Sequence, residues 1–141
     1  MKYLLDTNIC IYLINGNNER LIKRIERELT KDLAISVITL AELEYGVHNS
    51  KHVERNQVAL INFLAPISIL SFETEDAEQF GQIKSELKRR GRLISDLDIL
   101  IAAQVITRKL TLISNNIREF NRIPQLRVEN WVTGRSPAML S

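Results

Sequence analysis

Four carboxylates stand where apolar stretches stop, and their type and placement suit the binding of a hard divalent cation. Asp6 ends Tyr3-Leu4-Leu5, and Glu42 follows Ala34-Ile35-Ser36-Val37-Ile38 by four residues. Asp98 opens onto Ile99-Leu100-Ile101-Ala102-Ala103, and Glu119 lies just past Leu110-Thr111-Leu112-Ile113. Carboxylates that converge repel one another unless a cation sits between them. Oxygen-only donors favour Mg²⁺, with Mn²⁺ able to substitute. The chemistry that follows is hydrolysis, because such an ion ionises water and neutralises charge on a phosphate. His48 and His52 lie away from the acids in the pattern, so a histidine general base is not expected.

Each acid also has an ordinary role open to it. Asp6 can cap a helix that begins near Ile9, Thr39-x-x-Glu42 and Ser95-x-x-Asp98 match the capping box, and Glu119 can face solvent. The two roles coexist, since an acid at a helix start can still aim one oxygen at a metal. Capping alone does not require the acids to fall at the same end of successive strands.

Positioning those acids is the task of the elements between them. At 141 residues, with 45% hydrophobic and 26% charged residues, the chain has the size and composition of one soluble globular domain. Residues 2–6 predict a short buried strand and Ile9–Ile14 a short helix. Asn18 is placed to cap a second helix, with Leu21, Ile25 and Leu29 on its apolar face and Arg20, Lys23, Arg24 and Arg27 on the other. Ala34–Ile38 predicts a second strand, and Thr39 opens a helix to about Asn49. A helix over Val53–Leu64 and a strand over Ile67–Leu70 follow. Thr74 is the predicted cap of a helix ending at Lys88-Arg89-Arg90, with Gly91 just beyond. Asp98–Thr107 predicts a buried helix, Leu110–Ser114 a strand, and Leu126–Trp131 a short edge strand. The expected domain covers residues 1–132, with 133–141 as a flexible tail. Alternating strands and helices predict an α/β fold with a parallel sheet and helices on both faces. In such a sheet the carboxyl ends of the strands share the edge where ligands bind, so acids far apart in sequence can meet.

A phosphodiester needs cations near such acids. Lys84, Lys88, Arg89, Arg90 and Arg92 precede Asp98, and Arg118 and Arg122 flank Glu119, which makes them candidate RNA-binding residues. The net charge of +2 is too small to announce nucleic-acid binding by itself. Cys10 is the only cysteine, which excludes an intramolecular disulfide and fits a reducing cytoplasm. The first apolar stretch is broken by Asp6 and Asn8, unlike a signal peptide, and no apolar run approaches the roughly 20 residues of a membrane span.

Four segments resemble, in order, the motifs of the PIN-domain nucleases. They are Leu4-Leu5-Asp6-Thr7-Asn8; Ser36-Val37-Ile38-Thr39-Leu40-Ala41-Glu42-Leu43-Glu44-Tyr45-Gly46; Asp98-Ile99-Leu100-Ile101-Ala102-Ala103; and Leu112-Ile113-Ser114-Asn115-Asn116-Ile117-Arg118-Glu119-Phe120. Val128-Glu129-Asn130-Trp131 resembles the closing strand. The order and spacing are similar to those of VapC toxins of type II toxin–antitoxin systems. The resemblance implies a PIN-like three-layer fold with four to five parallel strands, Mg²⁺-dependent cleavage of RNA such as tRNA, and action in the cytoplasm. It implies Asp6, Glu42 and Asp98 as the acidic core, with Asp6 and Asp98 as direct metal ligands. It further implies a cognate VapB-like antitoxin that blocks the site, and a toxin homodimer.

One departure stands out: many PIN domains have Asp where this chain has Asn116, and Glu119 is expected to supply the missing charge. Thr7, Asn8, Asp96, Ser114 and Asn116 are expected to support the ligands through hydrogen bonds. Ile9, Ile11, Tyr12, Leu13 and Ile14, facing Val47, Val58 and Ile61, outline a groove for an amphipathic antitoxin helix. Two other classes were weighed. Aspartyl phosphotransfer needs a second Asp two residues after the first, where the chain has Asn8. A PIN-like module that binds without cutting would not need Asp6, Glu42 and Asp98 together.

Overall fold

The computed structural model describes residues 1–132, so the tail expected over 133–141 lies outside the described residues. Five parallel strands form one sheet: β1 (Tyr3–Leu5), β2 (Leu33–Ser36), β3 (Ser68–Leu70), β4 (Thr111–Ile113) and β5 (Val128–Glu129). Their spatial order is β3-β2-β1-β4-β5. The chain builds outward from β1 in one direction, then returns to its other side. The β1–β4 boundary is therefore the switch point at which open α/β sheets form their crevice.

Among the described residues seven α-helices cover the sheet: α1 (Thr7–Asn15), α2 (Glu19–Glu26), α3 (Val37–His48), α4 (Val53–Leu64), α5 (Thr74–Arg89), α6 (Asp96–Arg108) and α7 (Ile117–Phe120). Alternation along the strands divides the core in two. Leu4 and Leu112 point to a cluster with α5, α6 and Phe120 of α7. Leu5, Ile35 and Ile113 point to the opposite cluster, built with α1–α4 and Trp131. Both faces are thus buried, which is why the strands are continuous apolar runs rather than alternating ones. Each fully buried Leu, Ile or Phe contributes about 1.5–3 kcal/mol of hydrophobic stabilisation.

Several boundaries differ from the sequence expectation. Strand β2 ends at Ser36, whose hydroxyl accepts from Ile38 N at 2.9 Å and starts α3. A local cap overrides the β-branched preference of Val37 and Ile38, and Thr39 becomes a buried residue of the first turn rather than the helix opener. Glu73, not Thr74, caps α5, in a reciprocal box with Asp76. Helix α6 starts at Asp96, two residues earlier than expected, because Ser95 accepts from Asp98 N at 3.2 Å. Helix α7 was not anticipated. Asn18 caps α2 as expected, accepting from Leu21 N at 2.9 Å. Gly91 adopts φ +66°, the left-handed conformation that suits glycine after a helix.

One polar cluster ties α5 to α6. Fully buried Asp76 accepts from Glu73 N and from the Arg108 guanidinium, each at 2.8 Å, and also bonds the Thr107 hydroxyl. Helix α6 is the element that delivers Asp98.

Candidate active site

Asp6 leaves β1 directly at the switch point. Its backbone N donates to Ile113 O at 3.1 Å, which fixes it against the end of β4. One carboxylate oxygen accepts from Ile9 N at 2.9 Å, so Asp6 does cap α1. The side chain is only 5% exposed, and burial lifts its carboxyl from the ordinary range to about 6. Hydrogen bonds from Ser114 and Ile9 N oppose that rise, and the charges of Asp98 and Glu42 add to it. Ser114, fully buried at the end of β4, also accepts from Asn116 N at 2.9 Å.

Asp98 sits in the first turn of α6, where the helix dipole favours an anion. Its carboxyl is also raised, by burial first; a hydrogen bond from Ser95 opposes this, and the charges of Glu42 and Glu119 reinforce it. The Asn116 amide approaches Asp98 Oδ2 at 3.5 Å. Glu42, one turn into α3, accepts from the Thr7 hydroxyl at 2.5 Å. The Thr39 hydroxyl lies 3.2 Å from that of Thr7. One hydroxyl proton cannot serve both partners, so Thr39 supplies the second.

The fold therefore brings Asp6, Glu42 and Asp98 within electrostatic reach of one another and Glu119 within reach of Asp98, with Thr7, Ser114 and Asn116 beside them. Asn8 and Asp96 do not join this group. Asn8 is exposed and makes no side-chain hydrogen bond among the described residues. Asp96, at the first position of α6, turns outward to Lys84 Nζ at 2.9 Å. Among the described residues no three acidic, histidine or cysteine side chains are gathered tightly enough to form a closed ligand cage. An open set of carboxylates fits Mg²⁺, which keeps several of its waters and takes only one or two carboxylates directly. Asp6 and Asp98 are the pair whose raised carboxyls a cation would relieve.

The expected phosphate contacts are more scattered. Lys84 is committed to Asp96, while Arg89 and Arg90 both engage Glu86. Lys88, Arg92 and Arg118 are exposed. Arg122 points back to the Arg92 and Leu93 carbonyls, at 3.5 and 3.0 Å, and braces the loop before α6.

Two contributors escaped the sequence reading. Thr39 reads as a helix opener from sequence, but the cap at Ser36 puts it inside α3, where it and Glu42 share one helical face. Tyr12 was assigned to an apolar groove, yet its hydroxyl meets the Asn115 amide at 3.3 Å and links α1 to the loop after β4.

That groove is present in part. Ile11, Ile14, Leu43, Val47 and Leu60 line a hollow of about 260 Å³ that also touches Glu42. Ile11, Val58 and Ile61 are exposed around it, whereas Ile9 is fully buried and belongs to the core.

Known proteins resemble the chain along nearly its full length. A family profile described as PIN domain matches residues 3–126. Ribonuclease VapC2 of Haemophilus influenzae is 44% identical over 132 residues, covering 94% of this chain and 99% of that protein. The tRNA(fMet)-specific endonuclease VapC of Salmonella typhimurium is 39% identical, covering 93% and 98%. Among solved structures, VapBC2 from Rickettsia felis bound to a DNA fragment from its promoter superposes with a TM-score of 0.86 at 44% identity, covering 93% and 99%.

Proposed function

Since the chain belongs to the PIN-domain family, among the VapC ribonucleases, we propose that it is a Mg²⁺-dependent endoribonuclease, the toxin of a type II toxin–antitoxin pair, acting on structured RNA such as tRNA. The observation that carries this reading is the convergence of Asp6, Glu42, Asp98 and Glu119 at the β1–β4 switch point. The tRNA(fMet) specificity named for the Salmonella relative makes tRNA the first substrate to try.

Asp6 and Asp98 would hold the ion, with Glu42 and Glu119 beside them. When bound, the ion supplies Lewis acidity and a more acidic water. The chain's own residues do the rest. Ser114 and Ile9 N hold Asp6 in one orientation, and Thr7 does the same for Glu42. Glu119 adds the negative charge that Asn116 lacks, while the Asn116 amide steadies Asp98. Glu42 and Glu119 are carboxylates able to accept a proton from an attacking water. The deciding experiment is cleavage of a labelled tRNA pool by purified protein in Mg²⁺ or EDTA. Cutting in Mg²⁺ alone, lost in Asp98→Asn, is the expected result. Cutting that persists in EDTA would dismiss the metal.

Thr7→Val keeps the shape of the side chain but removes the donor to Glu42. Apparent Mg²⁺ affinity or rate should fall about 10–100-fold, the usual cost of losing such a support, with the thermal melt little changed. An unaltered Mg²⁺ titration of cleavage would show that Glu42 needs no such hold.

The same reading gives the toxin a VapB-like antitoxin and a homodimeric form, working in the cytoplasm. Among the described residues no helix is long and apolar enough to cross a membrane. Glu42 lines both the acid cluster and the Ile11–Leu60 hollow, so an antitoxin segment seated there would reach the site.

A further inference from the structure

A wide groove among the described residues lies outside the acid cluster. It has a volume of about 800 Å³ and is lined by Arg20, Lys23, Arg24 and Arg27 of α2 and its C-cap, with Glu26 among them, facing Glu129 at the end of β5 and Asn130 beyond it. The four cations fall at i, i+3, i+4 and i+7, a single stripe about 10 Å long. Helix stability does not account for it. Lys23 and Arg24 suit the last turn, but Arg20 sits in the first, where the dipole disfavours a cation.

Their pairing is also incomplete. Lys23 meets Glu19 at 3.5 Å with both side chains largely in solvent, a pair of little worth. Arg20 and Arg27 have no acidic partner within 4.0 Å among the described residues. The wall behind them is rigid. Trp131 is buried, donates from Nε1 to Glu129 at 2.9 Å, and packs edge-on to Tyr3 at 4.8 Å. Arg24 lies over its ring at 4.2 Å.

The groove adjoins the acid cluster. Glu129 O accepts from Ser114 N at 3.1 Å, and Ser114 bonds Asp6. Strands β1, β4 and β5 are neighbours in the sheet, with Leu5, Ile113 and Glu129 in register, so the Glu129 backbone lies about 10 Å from that of Leu5, next to Asp6. A polyanion crossing the site has a cationic track waiting on that side.

We propose that the α2 groove binds the phosphate backbone of the RNA beyond the scissile bond and so favours long, structured substrates. This rests on the ribonuclease reading above. Arg20, Lys23 and Arg27 are the phosphate contacts, while Arg24 is held in place by Trp131 and Glu28.

The test compares the full-length wild type with an Arg20→Ser, Lys23→Ser, Arg27→Ser triple variant. First, tRNA affinity is measured in EDTA across a salt series. The triple variant should bind about tenfold more weakly at low salt, and its slope of log affinity against log salt should be shallower by about 2–3, roughly 0.7–0.9 for each of the three lost phosphate contacts. Arg20→Lys, Arg27→Lys should keep the slope. Second, KM for tRNA should rise while cleavage of a tetranucleotide stays at the wild-type rate. An unchanged salt slope in a folded variant overturns the proposal, as does an equal loss on tRNA and tetranucleotide. Loss of antitoxin binding with RNA binding intact assigns the face to a protein partner and overturns it too. A wild type that cuts no RNA, but whose salt slope still depends on these residues, keeps the track and removes the nuclease reading.

Discussion

Asp6→Asn is expected to lose cleavage on the order of a thousandfold and, in the metal-free protein, to melt at a higher temperature than the wild type. The loss follows from removing one of the two carboxylates that would hold the ion, whose charge stabilisation is worth several kcal/mol. The gain follows from burial. An unfolded Asp6 ionises near 3.8, whereas the folded one keeps its proton to about 6. Above pH 6 the folded state therefore carries an ionised group that the unfolded state accommodates more easily. This destabilisation is fully present at neutral pH and vanishes as pH falls through 6 towards 4. The shift sets its size at up to about 3 kcal/mol.

Asparagine is a good N-cap, so the bond from Ile9 N survives the substitution. Differential scanning calorimetry at pH 7 in EDTA should show the variant melting several degrees higher, and near pH 4 the difference should close. Adding Mg²⁺ should raise the wild-type melting temperature and leave the variant's unmoved. A folded variant that still cuts RNA and melts lower at pH 7 would make Asp6 a cap and nothing more.

Asp76→Ala should do the reverse, costing stability and sparing chemistry. The buried carboxylate satisfies Glu73 N, Thr107 and Arg108 together. Its removal strands a backbone donor and a hydroxyl and takes away half of the α5 capping box, together about 3 kcal/mol. Arg108 keeps some solvent exposure, which limits the penalty for losing its partner. The midpoint of urea unfolding should fall by 1 M or more, at about 1–3 kcal/mol per molar. Cleavage at 15 °C should stay within a few-fold of wild type, because Asp98 is still carried by α6. A midpoint shift under 0.3 M would mean that the α5–α6 contact is held by apolar packing alone, through Ile83, Leu87 and their neighbours.

Much of this was visible before any coordinates. The apolar runs ending at Asp6 and preceding Glu119 located two strands, and Asn18 and Gly91 marked helix limits through their own chemistry. The limits of α4 were legible too, because Pro66 closes the helical stretch that ends at Leu64. Other features were not local. Val37 and Ile38 read as strand because propensity cannot sense that Ser36 would cap first. The Thr7–Glu42 bond joins residues 35 apart, and nothing near either one announces the other. The outward turn of Asp96 depends on Lys84 from the preceding helix. The order of strands around β1 is written in no local stretch of the sequence and emerges only in the fold. Arg89 and Arg90 could have been read better: Glu86 stands three and four residues before them, and that spacing already predicts the neutralising contacts.

The strand order has a consequence for synthesis. Strand β1 leaves the ribosome first, yet one of its two partners, β4, begins only at residue 111. Until then Asp6 has no Ser114 beside it, and Glu119 has not been translated. A half-made chain carries its first two acids and cannot assemble the four. Assembly of the acid cluster therefore waits until the residues through Glu119 have been made. Any shorter nascent chain lacks the full set of carboxylates that the folded domain gathers.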